Sequence, residues 1–287
     1  MAESKRFFVI GDPIAHSLSP LMQQAALRHL GLRHSYEALR VSPYELAGVL
    51  DRVRRGDIHG LNVTVPHKVA ALRLCDFFTD EVATTGAVNT VFVDATGRLV
   101  GSNTDVDGLR ADILGQSIVP KRVLVLGAGG AARAAVVSIA TLGATVDVAA
   151  RRDDQAARLV KDVTMGGHVP WATLHPKDGA TYDLVVNATS AGMSGGAPGD
   201  DIADAFVRAP KTPATIAYDL VYRPPAGERE TKFLAAARAS GHRGFDGLGM
   251  LVEQGVRALS IFLGTPIDTG VRVAMRQAVT AAVHPGV

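Results

Sequence analysis

The run VLVLGAGGAARA, Val123 to Ala134, restricts the fold more than any other part of the chain. An apolar stretch of strand type ends on Gly127, and an alanine-rich helical stretch follows at once. Gly127, Gly129 and Ala132 match the spacing G-x-G-x-x-A. A glycine at the first position permits a tight turn out of the strand. One at the second lets the backbone approach a pyrophosphate, which sits on the helix N-terminus, here Gly130 and Ala131. Glycine turns also arise for packing alone, so context has to decide. ATVDVAA supplies the next strand, and the strand–turn–helix–strand order predicts a dinucleotide-binding unit.

The end of that second strand bears on which dinucleotide. A carboxylate there binds the adenine ribose hydroxyls of NAD, whereas arginine accepts the 2′-phosphate of NADP. This chain has Arg151 and Arg152, then Asp153. Two guanidinium groups suit a phosphate, which favours NADP. Asp153 could hold a bare ribose, so NAD stays open, and all three could form a solvated loop.

Elsewhere strand-like and helix-like runs alternate, which predicts an α/β fold with mostly parallel sheets. RFFVIG, SYEALRV and GLNVTV read as strands. SPLMQQAALRHLGL reads as a helix with Ser19 as N-cap and Pro20 at its first position. In the next helix Ser42 and Glu45 fit a capping box, and Leu46, Val49, Leu50 and Val53 share a face. AALRLCDFF reads as helical. NTVFVD and RLVGSNTD read as two strands joined by a turn. From about Asp246 the chain is predicted to be long helices. At 287 residues there is room for two domains. The expected layout is an N-terminal α/β substrate domain (1–105 with 247–287) and a Rossmann-type dinucleotide domain (106–246), with an open cleft between them and hinges near Asp105 and Gly247.

Composition narrows the function. Net charge is +2 with scattered basic residues, which argues against a nucleic-acid partner. The single cysteine, Cys75, cannot form an internal disulfide. AARAAVVSIATLGATVDVAA is interrupted by Arg133 and Gly143 and falls short of a membrane span. The opening MAESKRFFVIGDP lacks the pattern of a secretory leader. A cytoplasmic location is expected, with no membrane partner. Nine histidines stand apart, with no paired cysteines, so no metal site is expected.

In open α/β sheets ligands bind at strand tips. NVTVPHK, Asn62 to Lys68, delivers a lysine to one such tip. SNTD, Ser102 to Asp105, delivers a carboxylate to another. Taken singly, Lys68 reads as a surface lysine and Asp105 as a helix N-cap before VDGLRADIL. Taken with SLSP and GAVNT, they read as a set of hydroxyl, amide and charged groups at strand ends, suited to a small hydroxylated acid.

GDPIAHSLSP, NVTVPHK, GAVNT, SNTDVDG, GAGGAARA, NATSAGM and DGLGMLVEQG, in this order, resemble the shikimate dehydrogenase family across nearly the whole chain. The resemblance implies NADP-linked, reversible reduction of 3-dehydroshikimate to shikimate. It implies that Ser17 and Ser19 bind the substrate carboxylate, beside Tyr222, and that Thr64, Asn89 and Gln254 bind ring hydroxyls. Lys68 and Asp105 would be the catalytic pair, with Asp105 orienting the lysine. Asn187 and Thr189 would line the cofactor site near the nicotinamide ribose, and Met250 would pack at the nicotinamide. The stretch Ala150-Arg151-Arg152-Asp153, with Gln155 after it, departs from the Asn-Arg-Thr usual in NADP-selective members. It is closer to quinate/shikimate dehydrogenases, some of which accept NAD. A quinate or amino-shikimate dehydrogenase is therefore one alternative. Another is a nicotinamide-binding sensor without turnover, which would need the glycine loop but not Lys68 with Asp105.

Overall fold

The computed structural model describes residues 4–163, 166–193, 196–222 and 228–284. It divides into two compact units, residues 1–108 with 251–287 and residues 109–250. The partition falls inside two helices, three residues beyond Asp105 and three beyond Gly247.

In the first unit the chain runs β1 (Arg6–Gly11), α1 (Ser19–His29), β2 (Ser35–Arg40), α2 (Leu46–Arg54), β3 (Gly60–Val63), α3 (Lys68–Leu72), β4 (Phe77–Phe78), α4 (Asp80–Thr85), β5 (Thr90–Val93), β6 (Leu99–Ser102) and α5 (Thr104–Gly115). The sheet order is β2-β1-β3-β5-β6-β4. β1 pairs in parallel with β2 and β3, while β5 is antiparallel to both β3 and β6. The sheet is therefore mixed. The β5–β6 hairpin reverses the chain and brings Asn89 and Ser102 to the end where β1 and β3 terminate.

Local sequence explains most of these elements. β1 is apolar on both faces because helices cover both, and all its residues after Arg6 are buried. The predicted face of α2 is buried on the sheet with Phe8, Ile10, Leu61 and Val63, each such side chain contributing about 1.5–3 kcal/mol. Glu45 accepts from both the Ser42 N–H (2.8 Å) and its hydroxyl (2.7 Å), which is only one half of the expected capping box. The Glu45 N–H goes to the Ser42 carbonyl oxygen (3.1 Å), and the N-cap of α2 is Glu45, without a side-chain bond.

Three local expectations are corrected. AALRLCDFF is helical only to Leu72, because Phe77 and Phe78 find β6 as a pairing partner. Ser19 is the first helical residue, not the N-cap, which is Leu18. Asp105 is not the cap of α5 either; Asn103 precedes the helix and its Oδ1 accepts the Asp105 N–H at 3.2 Å.

The second unit contains β7 (Arg122–Leu126), α6 (Gly130–Ala140), β8 (Thr145–Ala149), α7 (Asp153–Val163), β9 (Gly167–His168), β10 (Tyr182–Asn187), α8 (Asp200–Arg208), β11 (Lys211–Asp219), α9 (Lys232–Ala239) and β12 (Arg243–Phe245). All pairings are parallel, in the order β12-β11-β10-β7-β8-β9. Read from the other edge, this is the 3-2-1-4-5-6 order of a dinucleotide-binding sheet, with its switch point between β7 and β10. Two helices complete the chain: α10 (Leu248–Leu263) and α11 (Thr269–Val283), the latter packed on α1 in the first unit. Among the described residues no helix is long and apolar enough to cross a membrane, and no cluster of metal-ligating side chains occurs.

Candidate active site and cofactor site

Four chain segments converge at one end of the first sheet. The loop after β3 is pinned there by the bonds Thr64 N–H to Ile10 O (2.9 Å) and Asp12 N–H to Val65 O (3.0 Å). The buried His67 ring is bonded to Val41 O at 2.7 Å. Lys68, the first residue of α3, is therefore held on a rigid loop and not on a free surface helix. Its Nζ donates to Asp105 Oδ2 at 2.5 Å, and both side chains are nearly buried. Because Asn103 provides the cap, the Asp105 carboxylate does not spend its oxygens on α5.

Asn89 completes the group. Its Nδ2 donates to Asp105 Oδ1 (2.8 Å) and to Thr104 Oγ1 (3.0 Å). Its Oδ1 accepts from Thr104 N–H (2.8 Å) and Thr90 Oγ1 (2.9 Å). The amide is thus fully engaged and turned toward the carboxylate.

The remaining expected substrate residues are distributed as follows. Thr64 lies in the pinned loop. Ser17 Oγ accepts the Ser19 N–H at 3.3 Å at the start of α1. Gln254, on α10, lies against α5: a Cβ on Gly108 would sit 2.7 Å from Gln254 Cβ, so glycine is needed for that approach. Gly108 is one turn beyond Asp105. Tyr222 belongs to the second unit, just after β11, and is half-buried.

The glycine turn of the second unit has the geometry its spacing implies. Gly127 N–H donates to Ala149 O at 2.8 Å, and Ala188 N–H donates to Leu126 O at 2.9 Å. The turn therefore lies between the ends of β8 and β10. Gly127 has φ +121°, and a Cβ there would meet Ala188 O and Thr189 Cγ2, both at 3.0 Å. Gly127→Ala is expected to destabilise the second unit by about 1–3 kcal/mol through backbone strain. Urea unfolding followed by fluorescence of Trp171, the single tryptophan and a residue of this unit, measures it.

Gly129 precedes α6 and leaves the helix start without a side-chain cap. Nothing lies within 4 Å of where its Cβ would be, so the backbone at Gly129 is open to close approach, and the uncapped start of α6 at Gly130 and Ala131 suits a pyrophosphate. Arg151 and Arg152 follow β8 and are exposed. Arg151 is paired with Asp201 at 3.2 Å. Asp153 opens α7, and its Oδ1 accepts the Trp171 N–H at 3.0 Å. These residues fit a pyrophosphate with a further phosphate beside the arginines better than a bare ribose held by Asp153.

At the end of β10, Asn187 Oδ1 accepts from Thr189 N–H (3.0 Å) and Thr189 Oγ1 (2.7 Å), which shapes the loop at the switch point. Behind it stands Asp219, paired in register with Asn187. Its Oδ1 accepts from Asn187 Nδ2 (2.8 Å) and Val221 N–H (3.0 Å), and its Oδ2 from Thr231 Oγ1 (2.5 Å). Burial outweighs these bonds and raises its carboxyl to about 7. Asp219 was not among the residues expected from sequence; a carboxylate closing the apolar strand TIAYD was the available signal. Met250 is buried at the start of α10, and its N–H donates to the Tyr218 phenol oxygen.

Comparisons with known proteins agree with this geometry. Residues 9–91 match the profile of the shikimate dehydrogenase substrate binding domain, and residues 247–280 that of the shikimate 5'-dehydrogenase C-terminal domain. The shikimate dehydrogenase (NADP(+)) of Geobacter metallireducens is 41% identical, with 96% of this chain and 95% of the relative covered. The crystal structure of shikimate 5-dehydrogenase from Thermus thermophilus in complex with NADP(H) and shikimate has a TM-score of 0.80 at 37% identity, covering 96% of this chain and 99% of that one. A ligand-free 5-ketofructose reductase of Gluconobacter sp. strain CHM43 has a TM-score of 0.76 at 31% identity, covering 96% and 99%. Near-complete coverage at these identities, joined to the Lys68–Asp105 pair and the 3-2-1-4-5-6 sheet, places the chain in the shikimate dehydrogenase family.

Proposed function

We propose that this chain catalyses the reversible, NADP-linked reduction of 3-dehydroshikimate to shikimate, as a cytoplasmic biosynthetic enzyme. In this reading the first unit holds the substrate and moves the proton, and the second holds the cofactor. The observation that carries it is the contact of Lys68 Nζ with Asp105 Oδ2, buried at a strand tip with Asn89 on the other carboxylate oxygen.

When bound, the nicotinamide supplies or accepts the hydride. Lys68 donates a proton to the carbonyl oxygen on reduction and accepts it back on oxidation. As an ammonium it also stabilises negative charge developing on that oxygen. Asp105 holds the lysine in one direction and accepts from the reacting hydroxyl. Asn89 acts through Asp105, since both its N–H bonds are already committed. Ser17 and Ser19 bind the substrate carboxylate, with Tyr222 beside it, and Thr64 and Gln254 bind ring hydroxyls. Gly127, Gly129, Gly130 and Ala131 receive the pyrophosphate, Asn187 and Thr189 the nicotinamide ribose, and Met250 packs on the ring.

The test is a panel of shikimate, quinate, amino-shikimate and 5-ketofructose with NADP and NAD, compared by kcat/KM. Highest efficiency with shikimate and NADP is expected. A higher value for another pair reassigns the substrate or cofactor, and silence throughout favours a sensor. The sugar ketone is included because a relative of this similarity bears that name. Replacing Arg151 and Arg152 together with alanine is expected to raise KM for NADP about tenfold or more and to leave NAD nearly unchanged. Equal changes for both cofactors would remove the arginines from phosphate recognition.

A further inference from the structure

A buried chain of side chains leads away from the candidate active site, and its direction can be deduced. Tyr36 OH contacts Asn62 Oδ1 at 2.7 Å. Asn62 Nδ2 contacts Thr90 Oγ1 at 3.0 Å, Thr90 Oγ1 contacts Asn89 Oδ1 at 2.9 Å, and Asn89 Nδ2 contacts Asp105 Oδ1 at 2.8 Å. Every member is less than a tenth exposed. All five belong to the first unit.

Two backbone groups set the orientation. Asn62 Nδ2 also lies 3.2 Å from the Asn89 carbonyl oxygen, which can only accept. The Asn62 atom on that side is therefore the NH2, and its oxygen faces Tyr36, which must donate. Asn89 Oδ1 lies 2.8 Å from the Thr104 N–H, which can only donate, so the Asn89 NH2 faces Asp105. Thr90 then accepts from an NH2 on one side and donates to a carbonyl oxygen on the other. Every proton points toward the carboxylate, an arrangement in which each bond polarises the next. Burial pushes the Tyr36 phenol above its ordinary range, so it keeps the proton it donates.

We propose that Tyr36 and Thr90 are positioning residues for the reaction: with Asn62 they form a one-way hydrogen-bond chain that locks the Asn89 amide and, through it, the Asp105 carboxylate that aims Lys68. The proposal rests on the function argued above. Tyr36 lies outside the motifs, and Thr90 falls in GAVNT with no role assigned to it; Tyr36 is on β2, separated by β1 and β3 from β5, where the chain reaches Thr90.

Tyr36→Phe removes one hydroxyl and Thr90→Val replaces one by a methyl. Each is expected to lower kcat for shikimate oxidation about threefold to tenfold, with KM within about twofold, because the loss lies in the alignment of the proton-transferring pair. Val53→Ala, in the core of the same unit, controls for lost stability and is expected to keep wild-type kcat. The side-chain amide NMR signals of Asn89 provide a readout without turnover, and they are expected to move in Tyr36→Phe and not in Val53→Ala. Unmoved Asn89 signals, wild-type kcat in both hydroxyl variants, or an equal kcat loss in Val53→Ala at matched stability would each overturn the chain. Absence of turnover in the wild-type protein would instead overturn the assigned reaction, and the NMR comparison would still decide the chain.

Discussion

Lys68→Ala is expected to lower kcat for shikimate oxidation by about a thousandfold, within the range typical of general acid–base groups, while KM for shikimate changes only a few-fold. The split follows from position. Lys68 Nζ is bonded to a carboxylate and sits on a loop fixed to β1 by two backbone bonds, so its removal does not release the strand tip. What is lost is the proton and the positive charge at the reacting oxygen, which count most in the transition state. Asp105 keeps its bond from Asn89, so the carboxylate is not left wholly unpartnered. Steady-state kinetics in both directions measure this. A variant with intact kcat and a large rise in KM would make Lys68 a binding residue.

Asp219→Asn is expected to remove a pH dependence of the second unit's stability worth about 4 kcal/mol. Burial raises this carboxyl from the ordinary 3.8 to about 7 in the folded protein, and Asp246 adds to the shift. The folded form therefore binds the proton more tightly than the unfolded chain does. Its stabilising contribution is complete below about pH 4 and is lost as pH rises through 7, at about 1.4 kcal/mol per unit across roughly three units. An asparagine keeps the oxygen that accepts from Asn187 and Val221, and its NH2 can donate to Thr231 Oγ1 where Oδ2 had accepted. The fold should thus survive while the titration disappears. Urea unfolding by Trp171 fluorescence across this range measures the difference between wild type and variant. A difference independent of pH would show that Asp219 titrates at an ordinary value. The same substitution touches Asn187 and the loop at the switch point, so the cofactor site is expected to hold its shape best in mildly acidic solution.

Several features of the site could be read directly from residues. The glycine turn, the two strands around it and the hairpin ending in SNTD depend on contacts near in sequence, and they occur where the spacing puts them. Lys68 and Asp105 could be named because each follows the end of a strand within a few residues. The errors share a cause: short polar residues have more than one physically good use. Ser19 and Asp105 have the chemistry of N-caps, but Leu18 and Asn103 occupy those positions. CDFF could extend a helix until β6 is present to pair with it. Asn89 likewise has more than one use: the family resemblance implies a ring hydroxyl, and within the chain its amide meets the Thr104 N–H and the Asp105 carboxylate.

Order along the chain, through periodicity, turn glycines and charge at strand ends, is enough to specify two α/β units and to nominate an ammonium–carboxylate pair. Partner choice among buried polar groups is a different matter. Tyr36, Asn62, Thr90, Asn89 and Asp105 are scattered over about seventy positions, and Asn187 meets Asp219 from thirty-two residues away. Which oxygen faces which N–H depends on strand register and on neighbouring backbone groups, and those exist only once the sheets have assembled.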